Sequence, residues 1–456
     1  MTQDVQTGTQ EMDPWGERMP RTVGLWGAVT VLIAITIGSG IFRVPATVAG
    51  LVPSQGPALA CWAVGGLIVL LGALSVAELA AAFPRSGGIF AFLLECYGPL
   101  PAFVFGWTEL TVLRASALGA TSMVFAEYLG YFIPLTRPQI HEVAAVTIGL
   151  IGIINYTGVR RAIAVLAPAS VAKYAAILAL GLLAFTASSS GMSHHQAFWS
   201  ESGRLSLLAA ALVPIMYTYD GWVDLCFMGG EIANPQRTLP WALVLGTCCV
   251  MVLYLLVNLG FWHALPASEI ARSPLVATSV AMRIPIFRTA GATVVAIVVL
   301  ISTLSALHAT LMTGSRVLFA IADRGLLFRA IASISPSFRS PSVAILLTTA
   351  LGIAYVLQSD FAQLASRVIL GLWPFYVLTV LGVYVLRHTR PDLPRPYRTW
   401  GYPVVPGLFV VASLGMLGSS LIDDPWDTGI SFLVIATGVP IYYLRQALMA
   451  RAAERH

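Results

Sequence analysis

Long apolar runs, set apart by short polar or Pro/Gly-rich breaks, dominate the chain. A membrane helix needs about 20 mostly apolar residues. Runs of that kind fall near residues 24–45, 57–82, 98–129, 142–157, 161–187, 205–230, 239–262, 289–322, 342–358, 364–387, 403–422 and 427–446. They predict an all-α polytopic membrane protein with twelve transmembrane helices. The third and eighth runs exceed one bilayer crossing and predict tilted or overhanging helices. Residues 1–23 read as a polar N-terminal tail without a signal-peptide pattern, 24–446 as one transmembrane domain, and 447–456 as a C-terminal tail.

Two runs break their own pattern. The first carries Gly38-Ser39-Gly40-Ile41-Phe42 near its middle, and the sixth carries Tyr217-Thr218-Tyr219-Asp220-Gly221-Trp222. Within hydrocarbon every backbone polar group must find a partner, so an interrupted helix marks a cavity or a buried site. These runs are five apart, the spacing of corresponding members in two inverted five-helix repeats, here about 24–187 and 205–387, with two extra helices over about 403–446. An exposed helix start offers N–H groups to a carboxylate, and unwound carbonyls offer acceptors to an ammonium. A broken pair therefore suits the two poles of an α-amino acid. This makes Ile37, Gly38, Ser39, Gly40, Ile41, Tyr217, Tyr219, Asp220, Gly221 and Trp222 candidate substrate-binding residues. The plainer alternative is that the glycines serve only close helix packing. Asp220 either braces the unwound backbone or receives the substrate amine, and the brace is favoured because carbonyls already supply acceptors. The aromatic residues wall a pocket or simply pack.

Composition agrees with membrane residence. Hydrophobic residues make up 57% of the 456, and charged residues only 10%, against about 25% charged in a soluble domain. The net charge of +5 comes from arginines scattered through loops, with no basic stripe, so nucleic acid is not an expected partner; the lipid bilayer is. With both termini inside, the cytoplasmic segments collect Arg85, Arg160, Arg161, Arg237 and the cluster from Arg387 to Arg398, while Asp423, Asp424 and Asp427 fall outside. That bias places both termini in the cytoplasm of a multi-pass protein in the cell membrane.

Of the 26 Lys and Arg, a single lysine, Lys173, sits within the fifth run. It lies roughly 18 Å past Arg161 at helical rise, deep for snorkelling. An ammonium there can take the place of a bound sodium ion against carbonyls and hydroxyls such as Ser302 or Ser305. The alternative is a lysine that reaches the interface. Glu78 reads as a gate residue or a helix cap, and Glu231 and Arg237 as ties for the loop after the sixth run. Cys61, Cys96, Cys226, Cys248 and Cys249 form no CxxC pair and read as apolar packing residues, with no metal site. Enzyme chemistry is not expected: no GxSxG elbow, Walker loop or HExxH helix occurs, no cofactor is implied, and His194-His195 reads as a solvated outer-loop pair.

Several segments, in order, resemble one family. Gly38-Ser39-Gly40-Ile41-Phe42 resembles the first-helix signature of the amino acid–polyamine–organocation superfamily. Glu78-Leu79 through Phe83-Pro84-Arg85-Ser86-Gly87-Gly88 resembles the end of its second helix. Tyr219-Asp220-Gly221-Trp222, Gly230-Glu231-Ile232-Ala233-Asn234-Pro235 and Leu239-Pro240 resemble its sixth helix and exit loop, and Arg316 to Gly325 the end of its eighth. Arg390-Pro391-Asp392-Leu393-Pro394-Arg395-Pro396-Tyr397, and Trp107 to Tyr128 with Arg114 inside, are similar to the L-type amino acid transporter branch.

The resemblance implies a LeuT-like 5+5 inverted repeat with broken helices 1 and 6, working as an alternating-access carrier of amino acids. Lys173 matches a fifth-helix lysine used in place of sodium, and Asn258 a seventh-helix asparagine near the substrate. Leu307-His308-Ala309 departs from the branch's Asn-Gly, so His308 either alters selectivity and proton dependence or simply bonds a neighbouring helix. Some members pair with a glycoprotein through an outer-loop cysteine; Gly130 to Glu142 holds none, so no disulfide-linked heavy chain is expected. The expected activity is sodium-independent exchange or proton-linked uptake. Sodium symport, polyamine or cationic amino acid transport, and a transporter-like sensor are the alternatives. Neutral substrates are expected, because no acid beyond Asp220 is evident to receive a cationic side chain.

Overall fold

The structure, a computed structural model, describes residues 21–157, 174–187, 205–286 and 288–453, apart from 324, 326 and 339. Lys173, His194-His195 and residues 161–173 of the fifth run lie outside the described residues. Those described form helices and connecting turns, with one isolated parallel bridge between Val23 and Ile232.

In chain order the helices are α1 (Leu25–Thr36), α2 (Gly40–Leu51), α3 (Gln55–Ala82), α4 (Gly88–Tyr97), α5 (Pro99–Thr108), α6 (Arg114–Leu129), α7 (Arg137–Thr157), α8 (Tyr174–Thr186), α9 (Leu205–Tyr219), α10 (Pro235–Ala264), α11 (Ala267–Arg272), α12 (Val276–Arg283), α13 (Arg288–Asp323), α14 (Ser342–Val356), α15 (Phe361–Thr389), α16 (Val404–Asp423) and α17 (Pro425–Ala453). A π-helical turn, Glu109–Leu113, joins α5 to α6. Among the described residues seven helices are long and apolar enough to cross a membrane, or eight if the bent pair α1 and α2 counts as one span. The protein is therefore a helical, multi-pass membrane protein.

Apolar residues at every angle around a helix leave no water-driven preference for a buried face, so close packing decides which helices meet. α3 carries glycines where its neighbours press in: a Cβ on Gly65 would lie 2.6 Å from Ile215, and one on Gly72 would lie 2.7 Å from both Trp222 and Phe409. It packs along α10 and α9 at the centre of the molecule. α15 is also central, with 72% of its apolar window buried, whereas α17 buries 22% and presents Leu433 and Leu444 outward. α16 and α17 thus form a lipid-facing flank.

Glu78, at the end of α3, is only 3% exposed. Its carboxylate accepts from Arg387 Nε (2.9 Å) and Nη2 (2.6 Å) and from the Thr399 N–H (2.8 Å), tying the α15–α16 connection to α3. At the same end, Arg21 donates to the carbonyls of Gly229 and Pro84, both at 3.0 Å, and the Thr22 and Val23 N–H groups donate to the Glu231 carbonyl. The chain entering α1 is thereby strapped to the segment leaving the sixth run.

Candidate functional site

α1 stops at Thr36 and α2 starts at Gly40, with a 51° bend between them. Ile37-Gly38-Ser39 carries the break. A helix start leaves its first N–H groups, and a helix end its last carbonyls, without partners along the chain, and α2 has no side-chain cap. The sixth run breaks likewise: α9 stops at Tyr219, the chain turns through 220–223, and a 3₁₀ segment follows over Asp224–Glu231.

The two breaks lie directly on each other. A Cβ on Gly40 would stand 2.8 Å from Thr218 Oγ1 and 3.0 Å from Thr218 Cα. Gly221 has φ +102°, a region L side chains rarely adopt, and its Cβ would stand 3.2 Å from Thr36 Cα. The Tyr254 hydroxyl, from α10, sits between the Thr36 carbonyl (3.1 Å) and the Thr218 carbonyl (3.0 Å) and donates to both ends. From α8, the Tyr174 hydroxyl donates to the Ala34 carbonyl (2.9 Å). Backbone-to-backbone approach of this kind is open only to glycine, which explains why these positions in the apolar runs are glycine.

The break of α1 and α2 opens onto a cavity of about 320 Å³. Its wall includes Ile35, Ile37 and Gly38 at the break, Tyr174 of α8, Arg114 of α6, Asp224, Phe227 and Met228 of the 3₁₀ segment, and Ser305, Ala309, Thr310 and Thr313 of α13. Phe227 and Val317 also line a second cavity of about 210 Å³, the vestibule, with Ser86, Gly87, Phe90 and Arg316, so Phe227 stands between the two.

α6 and α13 run antiparallel. Gly314 makes room for the Arg114 side chain at one end, and Tyr131 hydrogen-bonds Thr293 (3.2 Å) at the other. At that far end Arg43 pairs with Glu127 (2.9 Å) and lies over the Phe361 ring at 5.5 Å, and Phe361 meets Tyr217 edge-on at 5.8 Å.

Four ionisable groups surround the deep end. Arg114 Nε donates to Glu109 Oε2 (2.6 Å) and its Nη2 to Oε1 (3.3 Å). The π-helical turn makes this possible: the Arg114 backbone N–H reaches the Glu109 carbonyl five residues back, which stacks the two side chains on one face. Asp220 accepts from the Tyr376 hydroxyl (2.8 Å), so it binds α15 to the turn, as a brace would. Asp224 lines the cavity itself.

The remaining expected residues fall into two groups. Ile37, Gly38 and Ser305 line the cavity; Ser39, Gly40 and Ile41 are buried at the start of α2. Tyr219 packs against Tyr254 at 5.0 Å and Trp222 against Tyr376 at 5.2 Å, both fully buried, and neither lines the cavity. Asn258 donates to the Tyr254 carbonyl (2.8 Å) one helical turn back, supporting the helix that carries the bridging tyrosine. Ser302 is buried without a partner among the described residues. His308 lies away from the cavity wall, its Nδ1 3.0 Å from Asn155 of α7, which is the neighbouring-helix reading of that residue.

Sequence reasoning missed Tyr254, Tyr376, Glu109 and Asp224. The expectation of neutral substrates rested on there being no pocket acid beyond Asp220; Asp224 is such an acid, and it is Asp220 that turns away. Two acids four residues apart beside a predicted break carried the signal.

The family model described as amino acid permease matches residues 23–443. The b(0,+)-type amino acid transporter 1 of Mus musculus is 30% identical over 433 residues, 93% of this chain and 88% of that protein. The Serine/threonine exchanger SteT of Bacillus subtilis (strain 168) is 30% identical over 430 residues, 93% of this chain and 97% of that one. The human Cystine/glutamate transporter is 30% identical over 441 residues, covering 94% and 85%. These relatives are named as transporters and an exchanger, not enzymes, and the family model spans nearly the whole chain; the chain belongs to the amino acid permease family.

Proposed function

We propose that this permease exchanges one amino acid for another across the cell membrane by alternating access, without sodium. The observation that carries the reading is the pair of broken helices tied at Tyr254 and opening on one cavity. The substrate carboxylate meets the opening N–H groups of α2 at Ser39, Gly40 and Ile41, and the amine meets the carbonyls that end α1. Gly38 and Ile37 leave the space between them. Tyr217, Tyr219, Gly221 and Trp222 hold the sixth-run turn against that space, and Asp220 braces it through Tyr376.

In this reading the chain crosses the membrane twelve times as a LeuT-like 5+5 inverted repeat, with α16 and α17 as the extra helices and both termini in the cytoplasm. The vestibule at Ser86 and Arg316 then faces the cytoplasm, and the Arg43–Glu127 pair closes the outer side. Lys173, with Ser302 and Ser305, takes the place of a coupling sodium ion. His308 and Asn258 support the site from behind. The absence of a cysteine from Gly130 to Glu142 favours a carrier that works without a disulfide-linked heavy chain. The exchanger named among the relatives supports exchange over net uptake.

Purified protein in liposomes provides the test. Uptake of labelled amino acid is expected to rise severalfold when the liposomes hold unlabelled amino acid, and to be the same in sodium and choline. Uptake that needs a sodium gradient, or that ignores the internal amino acid, would contradict the reading.

A further inference from the structure

Three of the four ionisable groups at the deep end are committed. Glu109 and Arg114 hold each other at 2.6 Å, and Asp220 takes the Tyr376 hydroxyl at 2.8 Å. Asp224 lines the cavity, and its carboxylate makes neither a hydrogen bond nor an ion pair among the described residues. A carboxylate at membrane depth is costly unless a counter-charge reaches it, and such residues face substrate pathways.

Three further observations say what that counter-charge is. The described groups at this end are three carboxyl side chains against the single guanidinium of Arg114, whose fork Glu109 already occupies. Asp224 closes the turn that Gly221 opens, its backbone N–H donating to the Gly221 carbonyl at 3.1 Å. It therefore lies one turn beyond the sixth-run break, on the wall of the cavity onto which the first break opens. Thr310 and Thr313 line the same cavity and offer hydroxyl acceptors to a group with several N–H donors.

We infer that Asp224 is a specificity-determining residue that receives the cationic end of a substrate side chain, so that dibasic amino acids of lysine or ornithine length are substrates. This rests on the exchanger reading and names the side-chain class that its site takes.

Lysine and norleucine differ at the end of the side chain by one ammonium, which makes them the probe pair. Liposomes holding the purified protein and a mixture of unlabelled amino acids are given labelled L-lysine or L-norleucine, and kcat/KM is measured for each. The wild type is expected to favour lysine by about tenfold or more, and Asp224→Asn to reduce that ratio by at least about tenfold. Asp224→Glu keeps the charge but extends it by one methylene, so it is expected to retain cation uptake and shift preference from lysine toward ornithine. If Asp224→Asn does not fold, the wild-type ratio and the Asp224→Glu shift decide. Norleucine uptake without lysine uptake, or a ratio that Asp224→Asn leaves unchanged, overturns this inference alone. Uptake of no amino acid at all overturns the exchanger reading with it.

Discussion

Gly40→Leu is expected to abolish exchange, and Gly40→Ala to cut it by at least about tenfold, in protein that still folds. The alanine methyl alone would stand 2.8 Å from Thr218 Oγ1 and 3.0 Å from Thr218 Cα. Thr218 cannot simply yield, because its carbonyl accepts from Tyr254 (3.0 Å) and its hydroxyl donates to the Pro214 carbonyl (3.1 Å). The two breaks must then separate by several tenths of an ångström. Overpacking of this kind costs about 1–3 kcal/mol, which a large helical protein survives. A misplacement approaching 1 Å at a reacting or binding centre, however, can cost about a hundredfold in rate. Gly38 supplies the contrast. Its added Cβ would find only the Thr36 carbonyl, at 4.0 Å. Gly38→Ala should leave the breaks together and intrude on the cavity, raising KM more than it lowers the maximal rate. Exchange kinetics per mole of purified protein, read beside the melting temperature, check both. A Gly40→Ala protein with wild-type exchange would show that the contact between the breaks does not matter.

The second large effect is expected at the buried pair in the third run. Arg114→Met should destabilise the protein by about 3–5 kcal/mol, because it leaves Glu109, 4% exposed, with its charge unpaired. Replacing both partners removes the unpaired charge, and apolar replacement of a buried pair is often close to neutral. The double variant Glu109→Leu with Arg114→Met should therefore recover most of the lost stability. It should not recover exchange, since Arg114 also lines the cavity. Melting temperatures of the three proteins in one detergent, with exchange measured alongside, separate the two roles. An Arg114→Met protein as stable as wild type would mean that Glu109 is not held as a buried ion.

Both predictions start from features that the sequence reveals unequally. Gly38-Ser39-Gly40 and Asp220-Gly221 are legible because they violate the rule of their surroundings: a long apolar run gains nothing from glycines or an acid unless the helix stops or something approaches closely. α1 and α9 end within a residue or two of those signals. The bond from Glu109 to Arg114 is not legible by helical reasoning. Five residues along an α-helix lie about 140° apart in projection, so the pair looks divided between opposite faces until the π-helical turn is known.

Tyr254 is silent for a different reason. It is one aromatic in an ordinary apolar run, and its role arises only because α10 crosses both breaks at once. Asp224 shows the intermediate case. Its presence near the break is plain in the sequence, but which of two acids faces the cavity depends on the turn through 220–223 and on a tyrosine 156 positions away. α4 was not anticipated because its ten residues are too few to span a bilayer. Its start is set by Gly87 and Gly88, both with positive φ.

The central claim is that the amino acid binds in the cavity beside the two breaks. Ala309 lines that cavity and is exposed within it, which makes it a reporter site. In a protein with its five native cysteines replaced, Ala309→Cys should react with a small water-soluble thiol reagent, and a saturating transported amino acid should slow that reaction at least about fivefold, as occupancy of a small pocket excludes a second molecule. Full reactivity in the presence of an amino acid that the same protein demonstrably exchanges would place the binding site elsewhere and contradict the account.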